Sequence, residues 1–242
     1  MNAAQITKPN SQVRFWNRIA ERYARQPVPD EAIYKTKLAK TGKRLRPTDR
    51  VLEVGCGTGT TALHHAAQVA SVHAADLSSR MIEIARTKAK DAGASNVTFE
   101  VGGIETFETE AEPYDAVLAH SVLHLVEDVP SALERLHRTL RSGGLLVLTV
   151  PCLGDTVPWF RFVGPLGSAL GLIPKVYVFR EEEFLRQLES AGFQVEERWL
   201  PGPKRGIFLI ARKIDERRQP WNLEPSLSGV QGWIRYNRRN AE

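Results

Sequence analysis

The chain is poor in cysteine: Cys56 and Cys152 are its only two in 242 residues. They form no C-x-x-C pair and no His/Cys metal spacing, so a disulfide framework and a structural zinc are excluded, and no metal site is expected. Long apolar runs are absent, which excludes a membrane-spanning helix. The polar segment Met1–Gln12 has no apolar signal core, so a cytoplasmic location is expected, where free thiols persist. There is no internal repeat. A block of Lys/Arg interleaved with aromatics is also missing. The formal charge of +5 comes from 33 basic and 28 acidic residues, scattered apart from a mild C-terminal cluster, and no nucleic-acid partner is expected.

Against these absences stand 42% hydrophobic and 25% charged residues, ordinary for one α/β domain with extensions and a sizeable core. Helical spacing of Val13, Trp16, Ile19, Ala20 and Tyr23 predicts a helix over 12–25, stopped by Pro27 and Pro29. A second helix over about 30–40 starts at the N-cap Asp30. Together, residues 1–46 form an N-terminal helical cap. Strands and helices then alternate from 47 to 212. Strands are expected at 51–54, 71–76, 97–101, 114–119 and 145–150, with helices at 78–91 and 128–141. A helix over 181–191 leads into an antiparallel pair, 193–200 and 207–212. Alternating βαβ units argue for a parallel sheet covered by helices on both faces. Residues 151–180 interrupt this core as an apolar insertion, and 213–242 form a polar tail carrying Trp221, Trp233 and Tyr236.

The most informative segment is Val51-Leu52-Glu53-Val54-Gly55-Cys56-Gly57-Thr58-Gly59-Thr60. An apolar, β-branched run ends in an acid, then a triple-glycine loop, then a helix start. Glycine allows positive φ and close approach of backbone to a ligand. Such loops at the carboxyl ends of parallel strands bind nucleotide-like ligands. A dinucleotide fingerprint reads G-x-G-x-x-G. Here the third glycine's position is taken by Thr60, and Glu53 precedes the loop. A carboxylate there repels a pyrophosphate and suits a ligand with a cationic end. Asp76 follows about twenty residues later, at the end of the second strand, where an acid accepts from ribose hydroxyls. The alternative for Asp76 is a cap on the following helix.

On these residues the chain, over about 15–212, resembles the class I S-adenosylmethionine-dependent methyltransferases, in the small-molecule, UbiE-like group, whose first motif has the form E-x-G-x-G-x-G. The resemblance implies a Rossmann-like three-layer α/β sandwich. Its sheet would have seven strands, mostly parallel, with an antiparallel last strand. It implies S-adenosyl-L-methionine as cofactor, S-adenosyl-L-homocysteine as product and a small-molecule methyl acceptor. Glu53, Gly55, Cys56, Gly57 and Gly59 would then hold the methionyl part and Asp76 the ribose, with Leu77 and Met81 flanking the adenine. The family often carries an acid at Gly103. This chain does not, which leaves the backbone of Gly103 and Ile104, and nearby Glu105, for the adenine edge. Ser142 stands where proline is usual in the glycine turn Ser142-Gly143-Gly144.

The strand Tyr114–Ala119 leads into His120-Ser121-Val122-Leu123-His124-Leu125, which resembles the family's loop beside the reactive methyl. His120 is expected to contact cofactor or substrate. His124 is a candidate general base; its alternative is a packing or capping residue among its apolar neighbours. Phe15-Trp16-x-x-Ile19-Ala20-x-x-Tyr23 resembles the helix that small-molecule members fold over the cofactor. Tyr23 either reaches the cofactor or substrate there or packs on an amphipathic face. The 151–180 insertion, with Cys152, Trp159 and Phe160, is a candidate substrate lid for an apolar or aromatic acceptor. A dimer contact and a peripheral membrane contact are its alternatives, and both monomer and homodimer remain open. Three rival functions stay in view: a nicotinamide-dependent oxidoreductase, a non-catalytic cofactor-binding protein, and a methyltransferase acting on RNA or protein.

Overall fold

A computed structural model of the protein describes residues 11–104, 112–202 and 206–214. The expected Glu105 contact, residues 203–205 of the last connection and the tail aromatics lie outside these residues.

Two helices lead the chain, α1 (Ser11–Arg25) and α2 (Glu31–Gly42). Asp30 caps α2 by accepting from the Ile33 N–H at 3.1 Å. The core then runs β1 (Arg50–Val54), α3 (Thr60–Ala66), β2 (Ser71–Asp76), α4 (Ser79–Asp91), β3 (Val97–Val101) and β4 (Tyr114–His120). It continues through α5 (Val129–Thr139), β5 (Leu140–Val150), α6 (Leu153–Thr156), α7 (Phe160–Ala169) and α8 (Glu181–Ser190), and ends in β6 (Phe193–Trp199) and β7 (Ile207–Lys213).

The sheet has seven strands in the order β3-β2-β1-β4-β5-β7-β6. β7 runs antiparallel to both β5 and β6, and the pairings from β3 through β5 are parallel. The expected seven-stranded, mostly parallel sheet with a reversed last strand is therefore what the chain forms. Residues 51–54 are buried throughout, as a central parallel strand covered on both faces must be. One core packs Ala62 and Ala66 of α3 and Ile82 and Ala85 of α4 on one face. The other packs Leu133 and Leu136 of α5 and Phe184 and Leu188 of α8 on the opposite face. These make the three layers.

One boundary differs from the sequence expectation. The helix was expected to reach Arg141, with the strand starting at Leu145. Instead α5 stops at Thr139 and β5 begins at Leu140, which pairs with Tyr114 before an irregularity shifts the register to Ala116↔Leu145. Long-range partners hold this extension. Lys213 Nζ donates to the carbonyls of His137 and Leu140 at 2.7 Å each, and Arg212 donates to the Gly143 carbonyl at 2.7 Å. No local pattern encodes those contacts.

α1 and the start of α2 are tied to the carboxyl-end side of the sheet. Gln12 of α1 donates to the carbonyls of Leu125 and Lys175, at 3.1 and 2.8 Å. Asn17 Oδ1 accepts from Ser78 Oγ at 2.7 Å and from the Arg80 N–H at 3.2 Å. α2 is anchored at one end by Tyr34 Oη to Thr61 Oγ1, 3.1 Å. At the other end Lys40 pairs with Glu197 and Arg44 with Glu196 of β6. Within the insertion, Phe162, Leu166 and Leu172 are 78, 66 and 70% exposed. Among the described residues no helix is long and apolar enough to cross a membrane.

Candidate cofactor and acceptor site

β1 ends at Val54 and the chain turns through Gly55, Gly57 and Gly59 at φ +69, +53 and +74°, a region L side chains rarely adopt. The three glycines also differ in what surrounds them. A Cβ on Gly59 would lie 2.7 Å from Phe99 Cζ and 2.9 Å from Ala85 Cβ, so this glycine lets α3 sit close on the sheet layer. A Cβ on Gly55 would meet Val122 at 2.7 Å. At Gly57 the nearest atom is Tyr23 Cε1 at 3.9 Å, so this loop face is open towards the cavity.

That cavity, about 530 Å³, runs along the carboxyl ends of the strands. At one end it is lined by Glu53 and the loop residues Gly55, Cys56, Gly57 and Thr58. At the other end lie His120 and Ser121 after β4, Thr149 and Pro151 at the end of β5, and Pro201 and Gly206 of the last connection. Ile33, Tyr34, Lys37 and Leu38 of α2 form a wall, and Tyr23 stands at the end of α1.

Glu53 is 3% exposed. Burial, then the nearby Asp76 carboxylate, pushes its carboxyl up to about 8, against a hydrogen bond from the Ala62 backbone. Its Oε2 is buried without a hydrogen-bond partner, a costly state that a cationic donor relieves. Asp76 accepts from the Gly57 N–H through Oδ2 and from the Ser78 N–H through Oδ1, each at 2.9 Å. It therefore braces the glycine loop and the α4 entrance together. Its carboxyl is raised by burial despite these two bonds. The Tyr23 phenol is raised as well, by burial and then by Asp76.

His120 holds Thr149 Oγ1 through Nδ1 at 3.0 Å and stacks on Phe208. Burial, then the charge of Lys37, then His65, lowers it to about 3. His124 sits in the short turn Leu123–Leu125, with its carbonyl accepting from the Tyr177 N–H at 2.8 Å. Burial lowers its imidazole to about 4, and its Nδ1 is buried without a partner. His124 does not line the cavity.

The structure thus brings Glu53, Gly55, Cys56, Gly57, His120 and Tyr23 to one cavity. Asp76 joins them through its bond to Gly57. Met81 and Ile104 are 2 and 3% exposed and belong to the core beneath this edge; Leu77 is half-buried and Gly103 buried. The expected acceptor residues lie elsewhere. Cys152 is 6% exposed and packs in the core with Phe179 and Phe184, while Trp159 is 58% exposed. Neither these nor Phe160 lines the cavity. Sequence reasoning passed over Tyr34, Lys37 and Thr149. Their signals were present: Ile33, Tyr34, Lys37 and Leu38 share one helical face by spacing, and Thr149 is the one polar residue in Leu145–Val150. Among the described residues no cluster of His, Cys, Asp and Glu could hold a metal.

Comparisons with known proteins agree with this geometry. A family model described as a methyltransferase domain matches residues 51–144. The chain is 34% identical over 164 residues to the aklanonic acid methyltransferase DauC of Streptomyces sp. (strain C5), covering 60% of this chain and 74% of that protein. It is 30% identical over 122 residues to a demethylmenaquinone methyltransferase of Symbiobacterium thermophilum, covering 49% of this chain and 47% of that protein. The chain spans about half the length of the first curated relatives it matches, 47 and 51%. The fold is shared with the N-methyltransferase NodS of Bradyrhizobium japonicum WM9, solved with S-adenosyl-l-homocysteine. That match has a TM-score of 0.67 at 18% identity, covering 85% of this chain and all of that one.

Fold, glycine loop and relatives define one class: the chain belongs to the class I S-adenosylmethionine-dependent methyltransferases, related to small-molecule members of the ubiquinone type. The cofactor that membership brings is S-adenosylmethionine, and the residues fit it. Glu53 offers a buried acceptor without a partner, Gly57 leaves the loop face open, and Asp76 holds a carboxylate at the loop's far side.

Proposed function

We propose that this chain transfers a methyl group from S-adenosylmethionine to a small-molecule acceptor. The observation that carries the proposal is the cavity itself. It continues from Glu53 and the glycine loop to the His120–Thr149 pair, leaving room beyond the amino-acid end of the cofactor for a second ligand. Glu53 and the loop would hold the methionyl part, and Asp76 the ribose. The cofactor supplies an activated methyl for in-line displacement, and the protein contributes alignment and exclusion of water.

No strong base is required of the chain for this. His120 and His124, lowered to about 3 and about 4, are neutral at pH 7 and lie below the range where general bases work best. His120 orients an acceptor by hydrogen bonding. The walls that meet an acceptor are mostly apolar (Val28, Ile33, Leu38, Pro151, Pro201), which suits an apolar or aromatic skeleton. Two of the named relatives, an aklanonic acid methyltransferase and a demethylmenaquinone methyltransferase, act on organic molecules.

Transfer of a labelled methyl group from S-adenosylmethionine to a panel of phenols, quinols and carboxylic acids tests the activity. Cofactor binding without any transfer would favour a binding protein. Thermal-shift titration separates the cofactor classes: S-adenosylhomocysteine should raise Tm and NAD should not, and stabilisation by NAD alone would overturn the reading.

A further inference from the structure

Within the 151–180 insertion, α7 distributes its large and small side chains inversely to an ordinary surface helix. The face towards the protein carries Phe160, Gly164, Gly167 and Ser168, each buried or half-buried. A Cβ on Gly164 would lie 2.7 Å from the Phe160 ring, and one on Gly167 would lie 3.1 Å from Ile173. The outer face carries Trp159, Phe162, Val163, Leu166 and Leu170, all exposed. Helical backbone runs through both flanking residues, Trp159 and Leu170, so at 3.6 residues per turn the five fall within an arc of about 100°. Exposed Leu172 follows directly. Single exposed apolar residues are ordinary, but a contiguous stripe of them marks a surface that meets a partner or a membrane.

The charge beside this stripe is mainly of one sign. Residues 156–180 contain no Asp or Glu and carry Arg161, Lys175 and Arg180. α1 lies alongside: Arg18 donates to the Gly171 carbonyl just past the end of α7, and Gln12 donates to the Lys175 carbonyl at 2.8 Å. Arg14, Arg18 and Arg22 are exposed and recur every fourth residue, so they form one row along α1. Tyr23 and Gln12 fall on its opposite face by the same spacing. The nearby acids are engaged: Glu21 of α1 with Arg80, Glu127 with Lys175, and Asp155 with the Glu181 N–H.

We propose that α7 and the arginine row of α1 together dock this protein on membranes that carry anionic phospholipids. Trp159, Phe162, Leu166 and Leu170 enter the boundary between headgroups and acyl chains, and Arg14, Arg18 and Arg22 meet lipid phosphates. A second copy of the chain fits this surface less well, because a symmetric pairing through the stripe brings two arginine rows together. None of these residues lines the cavity, although α1 also carries Tyr23 to it. The docking surface is therefore separate from the cofactor site and does not depend on the methyltransferase reading.

Flotation of the full chain with vesicles tests this. Vesicles of phosphatidylcholine with about 30% phosphatidylglycerol should bind about tenfold more tightly, or better, than vesicles of phosphatidylcholine alone. Raising salt from about 0.1 to 1 M should remove most of that difference. The double substitution Phe162→Asp and Leu166→Asp should abolish binding. Arg14→Gln with Arg22→Gln should weaken binding to the anionic vesicles about tenfold or more. Both double variants should melt at the wild-type temperature. Brominated acyl chains should quench tryptophan fluorescence in the bound protein, and Trp159→Phe should remove most of that quenching. Failure of the wild-type protein to bind anionic vesicles, or equal binding to neutral ones, would overturn the proposal even if the variants do not fold. So would unchanged binding in the folded Phe162/Leu166 variant, or a dimer in sedimentation velocity that this variant loses while the wild-type protein ignores vesicles.

Discussion

Binding of S-adenosylhomocysteine should expel a proton from Glu53. The carboxyl titrates at about 8 in the folded protein, so at pH 7 roughly 0.9 of the molecules carry the proton. A ligand ammonium beside the partnerless Oε2 favours the carboxylate and brings its pKa back towards the ordinary range. Binding at pH 7 then releases roughly 0.9 proton per site. Calorimetry in phosphate, HEPES and Tris reads this directly, because the apparent enthalpy changes with buffer ionisation enthalpy with a slope equal to the protons released. The slope should fall to roughly 0.1 at pH 9 and vanish in Glu53→Gln. A wild-type slope near zero at pH 7, or an equal slope in Glu53→Gln, would refute the assignment. The same residue sets a stability trend without ligand. Its folded pKa of about 8 lies above the ordinary value of 4.5, so its contribution is fully present below pH 4.5 and is lost as pH rises through 8. The span of 3.5 units corresponds to something on the order of 5 kcal/mol, and Glu53→Gln should flatten that part of the pH profile in urea denaturation.

Other substitutions separate binding from architecture. Asp76→Ala removes the proposed ribose acceptor and the brace on the Gly57 and Ser78 N–H groups; calorimetry should show S-adenosylhomocysteine binding weakened by about 1–3 kcal/mol, and unchanged affinity would sink the assignment. Gly59→Ala adds a Cβ at φ +74°, 2.7 Å from Phe99, and should cost about 2–4 kcal/mol in urea denaturation. Gly93→Ala, at φ +64° with nothing within 4 Å, should cost only about 1 kcal/mol, so equal losses would show that packing at Gly59 is unimportant. The Cys152 thiol, pushed up to about 12 by burial, then by Glu181 and Asp155, should react with a disulfide reagent only on unfolding. Cys152→Ala should leave cofactor affinity unchanged, and a clear loss would return this residue to the site.

Much of the architecture was legible in local pattern. Capping at Asp30 and Ser78 has direct geometric expression in the bonds to Ile33 and Met81. The acid and glycine spacing of Glu53–Gly59 gave the family, because positive φ and a buried carboxylate leave marks that depend on few neighbours. The start of β5 was not legible, since Leu140 is held by Tyr114 and Lys213 from distant parts of the chain. Which residues line the cavity was not legible for a related reason. An apolar stretch such as 151–180 reads as a pocket, but periodicity cannot say which element lies over the strand ends.

By itself the sequence determined the order of strands and helices, the glycine turn and the class of cofactor, each set by short-range sterics and hydrogen bonding. Tertiary structure alone decided which groups share the cavity. Sheet order places His120 and Thr149 on adjacent strands; the bond between Tyr34 and Thr61 and the ion pairs to β6 hold α2 along the sheet, with Tyr34 and Lys37 on the cavity. That packing puts Lys37 on the cavity wall and leaves Cys152 in the core, because contacts between segments far apart in the chain fix where each face points.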